Sequence, residues 1–526
     1  MKKLLVFVLS LAVAASVFAR GDQDAAATQL PSFTVLNGAE PPSLDPSLMT
    51  DTSSFRVHMA LFEGLVQYDP KTQDPIPAMA LSWSASEDMM TYTFKLRNAR
   101  WSDGTPVTAQ QFVDSWLRTL NPDTASAYAW MIGMVVKGAN EYNSGDAGPE
   151  AVQIRALDAR TFQVDLLGPA AYFVGMLAHQ TFSVMPIHVI EEYGDSWTQP
   201  ENMVTNGPFV LEAWRPQEVL TVVKSDSYWD ADNVKLGRVI FIPSDNNNTR
   251  WNMHLNGESD WMRGGIPTDQ IDVAKLRPDY HEFPGLGVYY YAVNQTEPPM
   301  DDVNVRKALA MSFDRTVVTD KILRSGQVPA YSVSPPMDPY YPPKGTPYDI
   351  EMAKEYLAKA GYPDGKGFPG VILAYNTSES HQRIAEFIQQ EWETNLGIKV
   401  TLENQEWKTH LARGQNQDFT IMRIGWIGDY KDPNTMLDLF ITDGGNNYGK
   451  YSNPRFDELI RKSATMPDGP DRLAVLQEAE KIFIEEDQGL IPIYYYSNND
   501  LIDTEIWGGW YSNVLGNHPW KFIYRK

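Results

Sequence analysis

Cysteine is absent from the 526 residues of the chain. Disulfide bonds therefore cannot stabilise the fold, which must depend on its apolar core alone. A chain of this length can bury such a core and is expected to divide into two or three lobes. The absence of cysteine also excludes a lipid-modified amino-terminal cysteine as a membrane tether.

Basic residues are also scarce relative to acidic ones. The chain has 44 Lys and Arg against 67 Asp and Glu, and its formal net charge is −23 at pH 7. Such a charge repels nucleic acid and anionic lipid surfaces, and no basic tract compensates for it. We therefore expect no nucleic-acid partner.

Long apolar runs are confined to the amino terminus. Lys2 and Lys3 precede the apolar stretch 4–17, and small residues at Val17 and Ala19 fit a signal-peptidase site. These features predict a cleaved signal peptide at 1–19, a flexible leader at 20–30 and export to the periplasm. An uncleaved membrane anchor is the alternative reading of the same stretch.

Sequence signatures of catalysis are missing as well. The chain has no Gly-x-Ser-x-Gly elbow, no His-Glu-x-x-His pair and no phosphate loop ending in Gly-Lys-Ser/Thr. Its eight histidines are scattered, without a ligand pair at helical spacing. The sequence therefore predicts no enzyme, no cofactor and no metal site, although the many carboxylates leave a glycosidase-like acid pair open.

Aromatic residues, in contrast, are abundant. The chain has 15 Trp and 26 Tyr, and its 43% apolar and 21% charged residues are typical of a folded protein. Aromatic side chains fill large cores and also line clefts that bind organic ligands without tight selectivity.

Local patterns predict a mixture of strands and helices. Alternation predicts strands, a 3.6-residue period predicts helices, and Thr108 is expected to cap one helix. The main predicted elements are the strands Ser32–Leu36, Thr91–Arg97 and Phe419–Ile421 and the helices Phe55–Leu65, Ala109–Leu120, Ile350–Ala360 and Gln382–Leu396.

One stretch combines both charges with an aromatic ring. Arg423, Gly425, Trp426 and Asp429 follow a short apolar run, and the two glycines of this stretch are expected to loosen the backbone at the strand end. A site of this kind suits a ligand that carries both a positive and a negative charge. The alternative is a plain turn in which Asp429 caps the next element.

Several longer runs are distributed over nearly the whole chain after the leader. They are NGAEPPSLDP (37–46), FEGL (62–65), WSDGTPVTAQQFVDSW (101–116), TNGPF (205–209), YNTS (375–378), LENQEWKT (402–409), GWIGDY (425–430) and IYYY (493–496). In these runs the chain resembles the extracytoplasmic solute-binding proteins of peptide-type ABC importers, and in particular the periplasmic oligopeptide-binding proteins.

The resemblance implies an α/β fold with two lobes joined by two crossing strands and a third domain inserted near the amino terminus. Residues 31–52, 186–288 and 497–526 would form the discontinuous lobe I. Residues 53–185 would form the inserted domain II, and residues 289–496 would form lobe III.

The resemblance also implies roles for individual residues. Asp429 would pair with the α-ammonium of a peptide, whereas Arg423 and His381 would contact its carboxylate end. Trp407 and Trp426 would line side-chain pockets, with core packing as the alternative. Further ligand-binding candidates are Gly425, Asn376, Tyr128, Glu40 and Tyr495. An ion pair of Arg423 with Asp418 or Asp429 is the alternative role for that arginine.

The function implied is capture of short peptides in a closing cleft and their delivery to an ABC permease, by a protein expected to be a monomer. The same fold could hold another cargo, such as an oligosaccharide, a nickel chelate or haem. A secreted hydrolase is the alternative from a different class. Preferred peptide length is left open, because additional basic groups of the family have no clear counterpart here.

Overall fold

The computed structural model describes residues 30–526, so the predicted signal peptide at 1–19 and all but the last residue of the predicted leader at 20–30 lie outside the described residues. Among the described residues, no helix combines the length and the apolar character needed to cross a membrane. The strands are β1 (Ser32–Gly38), β2 (Val66–Tyr68), β3 (Pro75–Pro77), β4 (Ala80–Ala85), β5 (Thr91–Leu96), β6 (Ile154–Asp158), β7 (Thr161–Asp165), β8 (Phe209–Arg215), β9 (Val219–Lys224), β10 (Arg238–Pro243), β11 (Trp261–Arg263), β12 (Tyr280–Val293), β13 (Val328–Pro329), β14 (Val371–Asn376), β15 (Val400–Gln405), β16 (Ile421–Ile427), β17 (Ile491–Ile502), β18 (Trp507–Gly508) and β19 (Tyr524–Arg525).

The α-helices connect and cover these strands. They are α1 (Thr52–Leu61), α2 (Ala109–Leu120), α3 (Ala129–Gly133), α4 (Ala139–Asn143), α5 (Phe173–Met176), α6 (Ile187–Tyr193), α7 (Asn247–Leu255), α8 (Ile271–Ala274), α9 (Val303–Met311), α10 (Arg315–Val317), α11 (Ile350–Lys359), α12 (Glu379–Leu396), α13 (Trp407–Gln415), α14 (Pro454–Ala464) and α15 (Pro470–Lys481).

An eleven-stranded sheet runs through both lobes. Its order is β15-β14-β16-β12-β17-β11-β1-β10-β9-β8, with β13 attached to β17. The long antiparallel strands β12 and β17 join a first half-sheet (β11, β1, β10, β9 and β8) to a second half-sheet (β16, β14 and β15). The fold is thus an α/β fold of two lobes connected by two strands.

The two joining strands are irregular where they pass from one half-sheet to the other. Pro284 pairs with Ser497 and Val288 pairs with Tyr495, so residues 285–287 of β12 stand opposite the single residue Tyr496 of β17. This is a β-bulge, which bends a strand and increases its twist. The predicted boundaries at 288/289 and 496/497 lie beside this bulge, and the three-domain division itself stays a prediction.

A separate four-stranded sheet, β4-β5-β7-β6, belongs to the unit predicted to be inserted. Helix α2 packs on it through Phe112 and Trp116, whose rings lie 5.9 and 5.0 Å from the ring of Phe162. The predicted bounds of α2 are confirmed, and Thr108 caps it: the Thr108 hydroxyl accepts from Gln111 N, and Thr108 N donates to Gln111 Oε1.

The prediction of a helix over Phe55–Leu65 is wrong at both ends. Helix α1 begins at Thr52, because Asp51 accepts bonds from Ser53 N and Ser54 N. It ends at Leu61, since the backbone N–H and C=O of Glu63 bond the side-chain amide of Asn206 instead of continuing the helix.

The strand predicted at Phe419–Ile421 is also displaced. Strand β16 spans Ile421–Ile427 and includes Gly425, which pairs with Tyr289 of β12. The backbone is therefore not loosened at this glycine. A Cβ atom on Gly425 would lie 2.3 Å from the Tyr496 hydroxyl, so the glycine allows a side chain of β17 to cross the strand.

Candidate functional site

A cavity of about 460 Å³ lies at the ends of strands from both half-sheets. Strands β1, β10 and β11 contribute Asn37, Ser244, Arg263 and the residues that follow them, and β14 contributes Asn376. Strand β1 is parallel to β10 and β11, and β14 is parallel to β16, so within each half-sheet the carboxyl ends of these strands meet at one edge. Crevices outside the carboxyl ends of strands are a common location for ligands in open α/β sheets.

Asp429 lies on the cavity wall just after β16, with its side chain 10% exposed. Its Oδ1 atom is 3.3 Å from His179 Nε2 and accepts a long bond of 3.4 Å from the Tyr128 hydroxyl. Its backbone is fixed at both ends: its N–H donates to Thr435 Oγ1, and its C=O accepts from the Tyr68 hydroxyl. The second carboxylate oxygen, Oδ2, is buried and has no hydrogen-bond partner in the described chain.

Arg423 lies within β16 on the same wall and is 8% exposed. Its guanidinium donates to Asn376 Oδ1 at 3.0 Å and to the Tyr496 hydroxyl at 2.8 Å, and it lies 4.5 Å from the centre of the Tyr289 ring. No Asp or Glu of residues 30–526 forms an ion pair with it, so the alternative role as a partner of Asp418 or Asp429 is not present. The cation is held by neutral groups alone.

His381 lies near Arg423 and also lines the cavity. Burial, together with the charge of Arg423, holds its pKa well below the usual value for histidine. Its Nδ1 atom is 3.1 Å from the Asn376 carbonyl, which can only accept, so Nδ1 carries the proton. An uncharged His381 offers no positive charge to a carboxylate and presents Nε2 as an acceptor.

The remaining candidates of the cavity are aromatic, apart from Gly425 and Asn376. Trp426 donates from its indole to Thr435 O at 2.7 Å, and its ring stacks on Tyr128 at 6.0 Å. Trp407 is half-buried and stacks on His410. These rings form apolar walls, and the Trp426 donor is already used within the protein.

Two predicted site residues lie outside the cavity. The Glu40 carboxylate accepts from Trp214 Nε1 at 2.7 Å and from Gln217 N at 2.9 Å, so it is occupied elsewhere. Tyr495 lies in β17 between Tyr494 and Tyr496, which do line the cavity. Successive side chains of a strand point to opposite faces, and this alternation places Tyr495 on the other face.

The sequence profile of the bacterial extracellular solute-binding proteins, family 5 (Middle), matches residues 74–448. The periplasmic oligopeptide-binding protein of Salmonella typhimurium is 34% identical over 99% of this chain and 96% of its own length. The chain belongs to the family 5 solute-binding proteins. A crystal structure of an oligopeptide-binding protein from Borrelia burgdorferi superposes with a TM-score of 0.91, at 39% identity, over 94% of this chain and all of that one.

A third comparison within family 5 concerns the arrangement of the lobes. The unliganded open form of the Escherichia coli murein tripeptide-binding protein covers the same 94% of this chain, and 98% of that protein, at 33% identity. Its TM-score is only 0.63. Because coverage and identity differ little between the two structures, the lower score reflects a different arrangement of the lobes. This chain is therefore not in that open arrangement.

Several cavity residues of this family 5 protein were not predicted. Tyr496 could have been found from the alternation of side chains along the run Tyr494–Tyr496, which the prediction did not apply. His179 gave no local signal, because it lies 250 residues from Asp429 and is joined to it only by the fold. Arg56, Arg250 and Arg263 also line the cavity.

Proposed function

We propose that this protein binds short peptides in the cavity, holds their α-ammonium group at Asp429 and delivers them to an ABC permease. The observation that carries the proposal is Asp429 Oδ2, a buried carboxylate oxygen on the cavity wall without a partner among residues 30–526. An unpaired buried charge is unfavourable, and an ammonium group that donates to it removes that penalty.

The surroundings of Asp429 support a cation as its ligand. In the described chain, the carboxylate forms no ion pair with Lys or Arg, and its neighbours at Oδ1 are a histidine and a tyrosine hydroxyl. The α-ammonium of a peptide can donate three hydrogen bonds, as a lysine ammonium does. A neutral sugar can donate a hydroxyl hydrogen bond to this oxygen but leaves its buried charge without a counter-charge.

The bulge in β12 supports closure of the lobes as the mechanism. A peptide that contacts both half-sheets makes part of its contacts only in the closed arrangement, and it therefore shifts the population toward that arrangement. We propose that the permease recognises the closed form, that the protein acts as a monomer in the periplasm after removal of residues 1–19, and that it carries out no turnover of its cargo.

Calorimetry with trialanine and N-acetyl-trialanine tests this proposal. We expect trialanine to bind and the acetylated peptide to bind at least about 100-fold more weakly, because the amide that replaces the ammonium has no charge. A neutral trisaccharide serves as the cargo control and is expected not to bind. Mass spectrometry after prolonged incubation should show intact peptide.

Equal affinity for the free and the acetylated peptide would show that the ammonium is not recognised. Binding of the trisaccharide alone would assign a different cargo to the same fold. Cleaved trialanine would identify a hydrolase and contradict the proposed role as a carrier.

A further inference from the structure

Three arginines line the wall of the cavity that the first half-sheet forms. Arg56 lies on α1, Arg250 on α7 and Arg263 at the end of β11. Arg56 and Arg250 are 8% and 5% exposed, and the Arg263 side chain is 16% exposed. We refer to these three residues as the arginine wall.

Neutral groups hold much of the arginine wall in place. Arg56 donates from Nε to Asn37 Oδ1 and from Nη2 to Asn37 O, both at 2.7 Å. Arg250 donates from Nη2 to carbonyl oxygens, including Gly264 O at 3.0 Å. These bonds orient the guanidinium groups without neutralising their charge.

Three carboxylates of residues 30–526 lie near this charge, but only one of them forms an ion pair with an arginine of the wall. Arg263 forms an ion pair with the fully buried Asp500 at 3.2 Å. Asp51 also lines the cavity, but its oxygens accept from Ser53 N at 2.8 Å and from the Ser54 hydroxyl at 2.7 Å, as the cap of α1. Asp245 is half-buried on the same wall and forms no ion pair within the described chain.

The pKa values of the cluster have the same direction. Burial, followed by the neighbouring charge of Arg263, lowers the pKa of Arg56 to about 9. Burial lowers the pKa of Arg250 to about 10. His518 is buried near these arginines, and burial and the charges of Arg263 and Arg56 hold its pKa well below the usual value. Burial is the main cause of all three shifts, and the nearby Asp51, Asp245 and Asp500 act in the opposite direction on the arginines.

The arginine wall also has unused hydrogen-bond donors, and two glycines accommodate its guanidinium groups. The Nε atoms of Arg250 and Arg263 are buried without partners in the described part of the chain. A Cβ atom on Gly265 would lie 2.0 Å from Arg250 Nη1, and one on Gly516 would lie 2.5 Å from Arg263 Nη2. Both glycines have positive φ angles, and both leave room that the guanidinium groups occupy.

We propose that the arginine wall is a subsite for a carboxylate of the bound peptide. This inference rests on the proposed function and adds a preference for cargo with a carboxylate at one position. Guanidinium groups bind carboxylates through paired, charge-assisted hydrogen bonds, and such an anion would relieve the repulsion among the three arginines. The carboxylate belongs either to a Glu or Asp side chain or to the carboxyl end of the peptide.

Calorimetry on the natural protein distinguishes these two sources. One arm compares tetraalanine with variants that carry Glu or Gln at position 2, 3 or 4. The second arm compares tetraalanine with its carboxyl-terminal amide. We expect a preference of about tenfold for Glu over Gln at one position, or for the acid over the amide, as for a hydrogen bond to a charged group.

Arg56→Met tests whether this preference comes from the arginine wall. Arg56 forms no ion pair within residues 30–526, so the substitution leaves no carboxylate without its partner. We expect the affinity ratio of the carboxylate peptide to its neutral counterpart to fall to about twofold or less. Arg215→Met, which changes an arginine of the same half-sheet that is 68% exposed, is the matched control and should keep the ratio.

Each other outcome overturns the inference in an identifiable way. If tetraalanine binds but no carboxylate is preferred at any position, the arginine wall is not a subsite, while the proposed function stands. If the preference persists in Arg56→Met and is lost in Arg423→Met, the carboxylate is bound on the opposite wall. If no peptide binds, the proposed function fails and this inference fails with it. If Arg56→Met does not fold, Arg250→Met replaces it. The ratio of Glu-peptide to Gln-peptide affinity in Arg250→Met is then compared with the same ratio in the natural protein.

Discussion

Arg423 and Asp429 lie six residues apart along one strand end, line the same cavity and differ in how their hydrogen bonds are satisfied. Arg423 already donates to Asn376 and Tyr496 and rests on the Tyr289 ring. Asp429 retains a carboxylate oxygen without a partner in the described chain. Arg423 Nε is buried without a partner among residues 30–526 as well, so the difference lies in how firmly each charge is held. Two hydrogen bonds of 2.8 and 3.0 Å hold the guanidinium, whereas the Asp429 carboxylate has contacts of 3.3 and 3.4 Å at Oδ1. The charge with the weaker contacts of its own is the one better prepared for a ligand.

The largest effect is expected for Asp429→Asn. The change removes the negative charge while keeping the size of the side chain, so a bound α-ammonium would be buried without a countercharge. We expect the affinity for trialanine to fall by about 3 kcal/mol, or roughly 100-fold, measured by calorimetry.

The exposed Asp443 provides the matched control for this prediction. Asp443→Asn makes the same chemical change away from the cavity and should leave the affinity within about twofold. If Asp429→Asn binds trialanine as tightly as the natural protein does, Asp429 does not hold the α-ammonium group. The proposed contrast between Asp429 and Arg423 would then fail.

The second effect concerns stability at the Arg423 end. His410 Nε2 is 2.6 Å from the Arg423 carbonyl, and burial lowers the pKa of His410 to about 4. The unfolded chain, with a histidine pKa near 6.5, therefore binds a proton that the folded chain excludes between about pH 4 and pH 6.5. This histidine lowers the free energy of unfolding by about 2 kcal/mol as the pH falls from 6.5 to 5, and it has no such effect above pH 6.5.

Denaturant titrations between pH 5 and pH 8 measure this contribution. His410→Gln should reduce the slope of the free energy of unfolding against pH by about one proton below pH 6.5. His281→Gln, which removes a histidine in the other lobe, is the control. It shows how much the slope changes when a histidine other than His410 is lost. An unchanged slope in His410→Gln would mean that this histidine is already charged in the fold.

The smallest effect is expected for Arg423→Met. The substitution leaves Asn376 Oδ1 and the Tyr496 hydroxyl without a donor, but it removes a cation that two hydrogen bonds and the Tyr289 ring already hold. We expect an affinity loss of about tenfold, confined to those peptide lengths whose free carboxylate reaches Arg423.

Peptides of two to five residues, each as acid and as amide, measure this effect in a thermal-shift screen followed by calorimetry. Arg423→Lys keeps the charge and tests whether geometry matters as well. If the ratio of acid to amide affinity does not change at any length, Arg423 has no role at the carboxylate end. The comparison with Asp429 would then separate a ligand site from a purely structural charge.

Local elements of the fold could be predicted where the sequence contains its own signals. The helix at Ala109–Leu120 has a capping residue and a strong apolar period, and both ends were correct. The helix end near Phe62 could not be found in this way, because Asn206, far along the chain, takes the backbone bonds of Glu63. Gly425 was misjudged for the same reason: its pairing with β12 is a tertiary contact.

The site residues also differ in whether the local sequence indicates them or only the fold brings them together. Asp429 and Arg423 belong to one short motif, and the resemblance to a family was needed to assign them roles. Arg56, Arg250 and Arg263 are spread over about two hundred residues, and no local pattern indicates that they share a wall. Tyr495 was predicted from a run of three tyrosines, 494–496. Their side chains alternate between the two faces of the strand, and the sequence does not say which face is turned toward the cavity.

The bulge at residues 285–287 has a consequence for how this carrier could be adapted. The ladder resumes at Pro284 on one side and at Val288 on the other, and the Leu286 N–H and C=O are bonded to Val514 and Gly428. A rotation concentrated at Gly285 and Leu286 leaves the main-chain ladders of both lobes unbroken, since Gly287 already pairs with Ile427 of β16. The residence time of a cargo then depends on contacts across the cavity rather than on the joint, so wall substitutions can retune retention and release while the moving parts stay the same.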